Sequence, residues 1–103
     1  MRITATQIEK IKTAVARHFG EGAKVHLFGS RLDDNARGGD FDFYVEVEAL
    51  SAEEIVEKKH AVLADLFRSR EFFERKVDLV IRRRDSDYDA PIYHVATRDG
   101  VPL

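Results

Sequence analysis

From Asp40 to Glu48 acidic and apolar residues take turns, as Asp-Phe-Asp-Phe-Tyr-Val-Glu-Val-Glu. No other feature of the chain narrows its folding options as much. Successive side chains of a strand point to opposite faces, so this period of two predicts a strand over Asp40–Glu48 with one face in a core. Phe41, Phe43, Val45 and Val47 make the apolar face. Asp40 and Asp42 share the other, with Cα atoms about 6–7 Å apart from the rise per residue. Two carboxylates on one rigid strand can hold a hard divalent cation. Nine residues separate Asp40 from Ser30, which lies in the run Phe28-Gly29-Ser30-Arg31. A Gly-Ser turn at the end of an apolar run can present backbone N–H groups to a phosphate.

The chain has 103 residues, enough for one core and therefore one domain, 1–103. Its apolar share of 44% and charged share of 35% are those of a globular protein with a charged surface. The net charge of −2 gives no bulk electrostatic basis for direct nucleic-acid binding. Cysteine is absent, which excludes disulfides, thiolate metal ligands and thiol nucleophiles. No apolar run approaches the roughly 20 residues that span a bilayer, and the N-terminus lacks the apolar core of a secretory signal. A cytoplasmic protein with no membrane partner is expected.

In chain order, Thr6 and Glu9 have capping-box spacing, and Ile8, Ile11, Val15 and Phe19 make one apolar helical face that ends at Gly20 and Gly22. Lys24–Phe28 reads as a short strand. Ser30 reads as the N-cap of a brief helical turn. Residues 31–39, polar and glycine-rich, read as a loop before the alternating strand. Ser51 and Glu54 open a second helix predicted to run to about Glu74, with an apolar stripe of Ile55, Val62, Leu63, Leu66, Phe67 and Phe73. Lys76–Arg82 is a third strand. Asp89 and Pro91 start a last short helix contacting the core through Ile92, Val95 and Ala96 and closing at Gly100. The order α-β-(short α)-β-α-β-α predicts an α/β (α+β) domain, a small mixed sheet with helices packed mainly on one face. The long second helix joins strands two and three as a crossover.

Asp78 is the only acid within the third strand, among Val77, Leu79 and Val80. Burying a lone carboxylate costs several kcal/mol, of order 3–5, unless it is paired, protonated or metal-bound. With strands two and three adjacent, Asp78 reaches the face of Asp40 and Asp42, near the Gly-Ser turn. Three like charges at one point repel, and one or two Mg²⁺ ions relieve that. Such a site suits nucleotidyl transfer, in which Mg²⁺ bridges triphosphate oxygens and steadies an in-line displacement.

Gly29-Ser30, Asp40-Phe41-Asp42 and Asp78 together resemble the pattern of the DNA polymerase β-type nucleotidyltransferase superfamily. The short chain and the Gly-Ser-Arg form look most like its minimal nucleotidyltransferases, many of them antitoxins to HEPN-domain RNase toxins. The resemblance covers Val25 to about Ile81 and implies a polymerase β palm-like fold. It implies Asp40 and Asp42 as metal ligands, and Asp78 as a third ligand or the base for the acceptor hydroxyl. It implies phosphate binding by Gly29 and Ser30, with a charge added by Arg31. Two Mg²⁺ ions and ATP or another NTP would serve as cofactor and donor. A HEPN toxin would be the partner, carrying the acceptor hydroxyl. The departure is Gly38-Gly39 before Asp40, where relatives often have one glycine and a polar residue; no catalytic group is lost. Little chain remains to recognise an acceptor, so a partner or second copy, in a homo- or hetero-oligomer, is expected to complete the site. Two alternatives stand beside this reading: a binding module that neutralises its partner by occlusion, and a subunit modifying a small molecule such as an aminoglycoside.

Other signals have plainer readings. Arg82-Arg83-Arg84 suits an anionic partner but reads better as a solvated strand end. Arg37 is read as a solubilising loop residue. His18, His26, His60 and His94 lack metal-ligand spacing and are read as surface or packing groups. Glu46 and Glu48 continue the acidic face away from the turn, and Asp33 and Asp34 are read as loop capping or surface groups. Tyr44, on the acid face, is placed for either a substrate pocket or strand packing. Tyr88 and Tyr93 leave partner contact open.

Overall fold

The computed structural model describes all residues except 38 and 49. Among the described residues, three helices and four strands follow in the order α1 (Ala5–Phe19), β1 (Lys24–Phe28), a 3₁₀ turn (Gly29–Leu32), β2 (Phe41–Val47), α2 (Ala52–Phe67), β3 (Val77–Arg83), α3 (Pro91–Asp99) and β4 (Val101–Pro102). This is the expected small α+β architecture with a mixed sheet. Strands lie in the order β3-β2-β1-β4. β1 runs antiparallel to β2 and to β4, while the α2 crossover makes β3 parallel to β2. Asp40 sits just before β2, so the alternating segment enters the sheet one residue later than its pattern suggests.

The apolar half of the alternation does what its period requires. Phe41, Phe43, Val45 and Val47 are buried with Leu27 and Leu79 beneath Ile11, Ala14 and Val15 of α1 and Val62 and Leu66 of α2. α3 lies on the other face, where Ala96 and Tyr93 pack on Phe28 and Tyr44. Two helices thus cover one face, and the third covers part of the acid-bearing one.

Several local expectations need correction. The first capping box is Thr4 with Gln7, not Thr6 with Glu9. Gln7 Nε2 also donates to the Glu71 carbonyl at 3.0 Å, a long-range bond that favours this frame. Ser30 caps nothing: the 3₁₀ turn follows Phe28 without a side-chain cap. α2 ends at Phe67 rather than near Glu74, because the Ser69 hydroxyl donates to the Leu66 carbonyl and accepts from the Phe72 amide, and Glu74 takes φ +57°. The broken period leaves Phe67 and Phe73 exposed and sends Phe72 inward, edge-on to Phe41 and Phe43. On α3, Ile92 and Val95 remain 40% and 39% exposed, and Asp89 pairs with His94 instead of capping the helix.

One polar cluster ties α1 to α2. Asp65 accepts from His18 at 2.8 Å, Arg17 at 3.2 Å and Arg68 at 3.1 Å. The His18 hydrogen bond is the largest effect and holds its carboxyl below the usual range; burial, the second largest, opposes it, and the charges of His18 and Arg17 add to the lowering. A depressed carboxyl contributes stability above its unfolded value that is lost as pH falls through the folded one. Asp65→Asn should therefore cost roughly 1–2 kcal/mol at pH 7 and close to nothing well below pH 3. Urea titrations of both proteins at the two pH values check this; an equal cost at both would assign the loss to packing.

Candidate active site

The site is assembled where β1 runs out. β1 ends at Phe28, opposite Asp42 of the neighbouring strand, so the chain must turn directly above that carboxylate. Gly29 makes the turn with φ +80°. An added Cβ there would stand 2.4 Å from Asp42 Oδ2, closer than any real contact. Asp42 thus lies against the bare Cα of the glycine, and the Gly-Ser turn and the acid strand form one site.

Across the parallel register Asp42 faces Asp78 at the same level. Burial pushes the Asp42 carboxyl up, and the charges of Asp78 and Asp40 add to that, while Lys76 opposes it. Asp78 itself is exposed, so the sheet does not bury it as a lone charge. Asp40 is half-exposed and 3.8 Å from Lys76 Nζ. Among the described residues no three His, Cys, Asp or Glu side chains close to metal-binding distance. The predicted triad therefore appears as a facing pair, Asp42 and Asp78, with Asp40 beside it on a lysine. Lys76 was missed in the sequence, although it lies two residues before Asp78 and shares its face by the same period of two.

Arg31 packs against the core and the backbone. Its guanidinium lies 4.0 Å over the Phe41 ring, on the core side of the sheet, and donates to the carbonyls of Gly39 at 2.9 Å and Arg2 at 3.3 Å. Burial, followed by the Arg2 charge, pulls its pKa down. Arg2 in turn donates to the carbonyls of Ser30 and Asp33, each at 2.9 Å. The two arginines brace the Gly-Ser turn and the entry to β2 from behind. No sequence pattern marks Arg2, because its partners come from residues 30–33.

The remaining candidates sort by the same geometry. Arg82 lies 5.0 Å over the Tyr93 ring and near Asp89, Arg83 donates to Leu50, and Arg84 donates to Glu48 and Gly22. The basic run is thus folded into the domain's own surface, not left solvated. Tyr44 is fully buried under α3 and donates to Glu46 at 3.0 Å, which makes it packing and not pocket wall. His26 meets Tyr44 edge-on, while His18 and His94 serve carboxylates. Asp33 caps its own turn through Asn35, and Asp34 holds the N-terminal amine. Of the Gly38-Gly39 departure, Gly38 lies outside the described residues.

A family model described as a nucleotidyltransferase domain matches residues 8–93, which include the turn, all three acids and most of the fold. The chain belongs to the nucleotidyltransferase domain family. A comparison with curated proteins gives no match. Domains of this family generally use a nucleoside triphosphate and a divalent metal, and the residues present fit that use. Two carboxylates face each other, and Asp42 is pushed up by burial first and by the charge of Asp78 second, so they form an oxygen donor set that a divalent cation would relieve. In this nucleotidyltransferase-family domain the absent Cβ of Gly29 leaves the space that the Asp42 carboxylate occupies.

Proposed function

We propose that the protein transfers AMP from ATP, with Mg²⁺, to a hydroxyl on a partner protein, and that the partner is a HEPN-type toxin. The observation that carries this reading is the Asp42 carboxylate seated on Gly29 and facing Asp78. Asp40, Asp42 and Asp78 would hold the metal. The Asp40–Lys76 contact is exposed and worth under about 1 kcal/mol, so Asp40 is free to join them. When bound, the metal supplies charge neutralisation on the triphosphate and on the leaving pyrophosphate. Backbone N–H groups of the Gly29-Ser30 turn, with the serine hydroxyl, bind the terminal phosphates. The acceptor oxygen then bonds to the α-phosphorus as the bond to the bridging oxygen breaks, and pyrophosphate leaves. Asp78, exposed at the strand face, would take the acceptor's proton or complete the ligand set. Arg31 and Arg2 keep the turn at its height above β2. A cytoplasmic setting supplies the ATP.

The test is label transfer to the protein encoded beside this one. Label at the α-phosphate should move to the partner and label at the γ-phosphate should not. Asp78→Asn should lower the rate roughly 10²–10⁴-fold, the usual contribution of a positioned acid or base. Neutralisation that persists in this variant without label transfer would favour occlusion instead.

A further inference from the structure

The two edges of the sheet are built differently. β4 is two residues long and contains Pro102, a short, proline-blunted edge of the kind that discourages pairing. β3, the opposite edge, has seven residues, Val-Asp-Leu-Val-Ile-Arg-Arg, without proline. Its inner hydrogen bonds reveal its outer ones. The Phe41 amide donates to Lys76 and the Arg84 amide to Val47, so the even-numbered residues of β3 bond to β2. In a parallel ladder the alternate residues then point away, and these are Val77, Leu79, Ile81 and Arg83. Among the described residues no backbone group accepts the amides of these four or donates to the carbonyls of Val77, Leu79 or Ile81.

We propose that this edge pairs with β3 of a second copy, antiparallel about a two-fold axis at Val80. Outward-facing residues must meet outward-facing residues, which restricts the register to steps of two. Of the allowed registers, one overlaps the whole strand, with Val77 opposite Arg83, Leu79 opposite Ile81, and Val80 opposite itself. In that register Asp78 stands opposite Arg82 of the second copy on the acid face, a cross-strand pair of opposite charge, and the pair occurs twice. The same apposition sets the N-terminal end of β3 against the C-terminal end of its mate. Exposed Phe67 and Phe73 belong to the first end, exposed Val56 and Tyr88 to the second, so large apolar groups meet in both symmetric places. The result is one eight-stranded sheet with two acid faces side by side, and each site gains an arginine from the other copy next to Asp78. This proposal does not depend on the acceptor or donor named above.

Because the chain lacks cysteine, the axis can be tested directly. Opposed residues of a non-hydrogen-bonded antiparallel pair have Cα atoms about 4.5 Å apart, within disulfide range. Val80→Cys, oxidised with diamide at micromolar concentration, should give a covalent dimer at least about tenfold faster than Val95→Cys, an exposed control on α3. Uncrosslinked protein should sediment as a dimer of the 11.8 kDa chain. Arg82→Asp should weaken that dimer about tenfold or more, and the double exchange Asp78→Arg with Arg82→Asp should restore it, since both cross-strand pairs regain opposite charges. Circular dichroism identifies any variant that fails to fold. Wild-type protein that stays monomeric at about 1 mM, or equal crosslinking at positions 80 and 95, overturns the proposal and leaves the edge to an unlike strand.

Discussion

Replacing Asp42 with asparagine is expected to abolish nucleotidyl transfer and, at the same time, to stabilise the metal-free protein. The activity loss should be about 10³-fold or greater, because the proposed metal ligand and the charge facing Asp78 disappear together. The stability gain follows from the direction in which the carboxyl is shifted. Burial and the charges of Asp78 and Asp40 raise it, so the fold disfavours the ionised form. A raised folded-state value means stability fully present below the unfolded carboxyl value and lost as pH rises through the folded one. At pH 7.5 the wild type therefore carries a penalty that asparagine removes, about 1 kcal/mol after allowance for partial solvent screening. Thermal melts without divalent ions should give the variant the higher midpoint at pH 7.5 and no advantage near pH 3.5. Added Mg²⁺ should stabilise the wild type more than the variant. A variant less stable than wild type at pH 7.5 would show that Asp42 is held by contacts and not strained by charge.

Gly29→Ala should be almost as damaging to activity, for a steric reason. The position has φ +80°, which costs an L-residue about 1–2 kcal/mol, and the new methyl would overlap Asp42 Oδ2. The carboxylate must move by about 1 Å or the turn must lift. A displacement of that size at a reacting centre costs about 10²-fold in rate. Total destabilisation should be roughly 1–3 kcal/mol by urea titration. Gly39→Ala is the control, since no atom lies within 4 Å of a Cβ there. Retention of wild-type transfer by Gly29→Ala would separate the turn from the acid pair and remove the basis for a single site.

Where expectation and structure parted, the competing interaction can be named. The stripe that put Phe67 and Phe73 in the core assumed one continuous helix. The Ser69 hydroxyl ended it early, and Phe72 took the core position against Phe41 and Phe43. The resemblance gave Arg31 a charge to add at the turn. In the fold its guanidinium covers Phe41 and holds the Gly39 carbonyl, contacts that exist only once the loop has closed. The triple arginine looked solvated because its acceptors, Leu50, Glu48, Gly22 and Asp89, come from other segments. β4 carries too few residues for any periodic signal; pairing with His26 and Leu27 alone defines it.

The sequence by itself determined what depends on neighbours along the chain. A period of two sent Phe41, Phe43, Val45 and Val47 inward and put Asp42 outward, and the glycine at position 29 permitted the one turn that fits over it. Chain order with a helical crossover made β3 parallel to β2. Tertiary structure decided what depends on distance between segments. It set Asp78 level with Asp42 and placed the Asp42 carboxylate against Gly29. It also drew Asp40 toward Lys76 and anchored the turn through Arg2. The physical reason is the range of the forces involved. Backbone sterics and side-chain alternation act over one to four residues, whereas carboxylates repel, and arginines find carbonyls, only after the sheet has brought remote segments within a few ångströms.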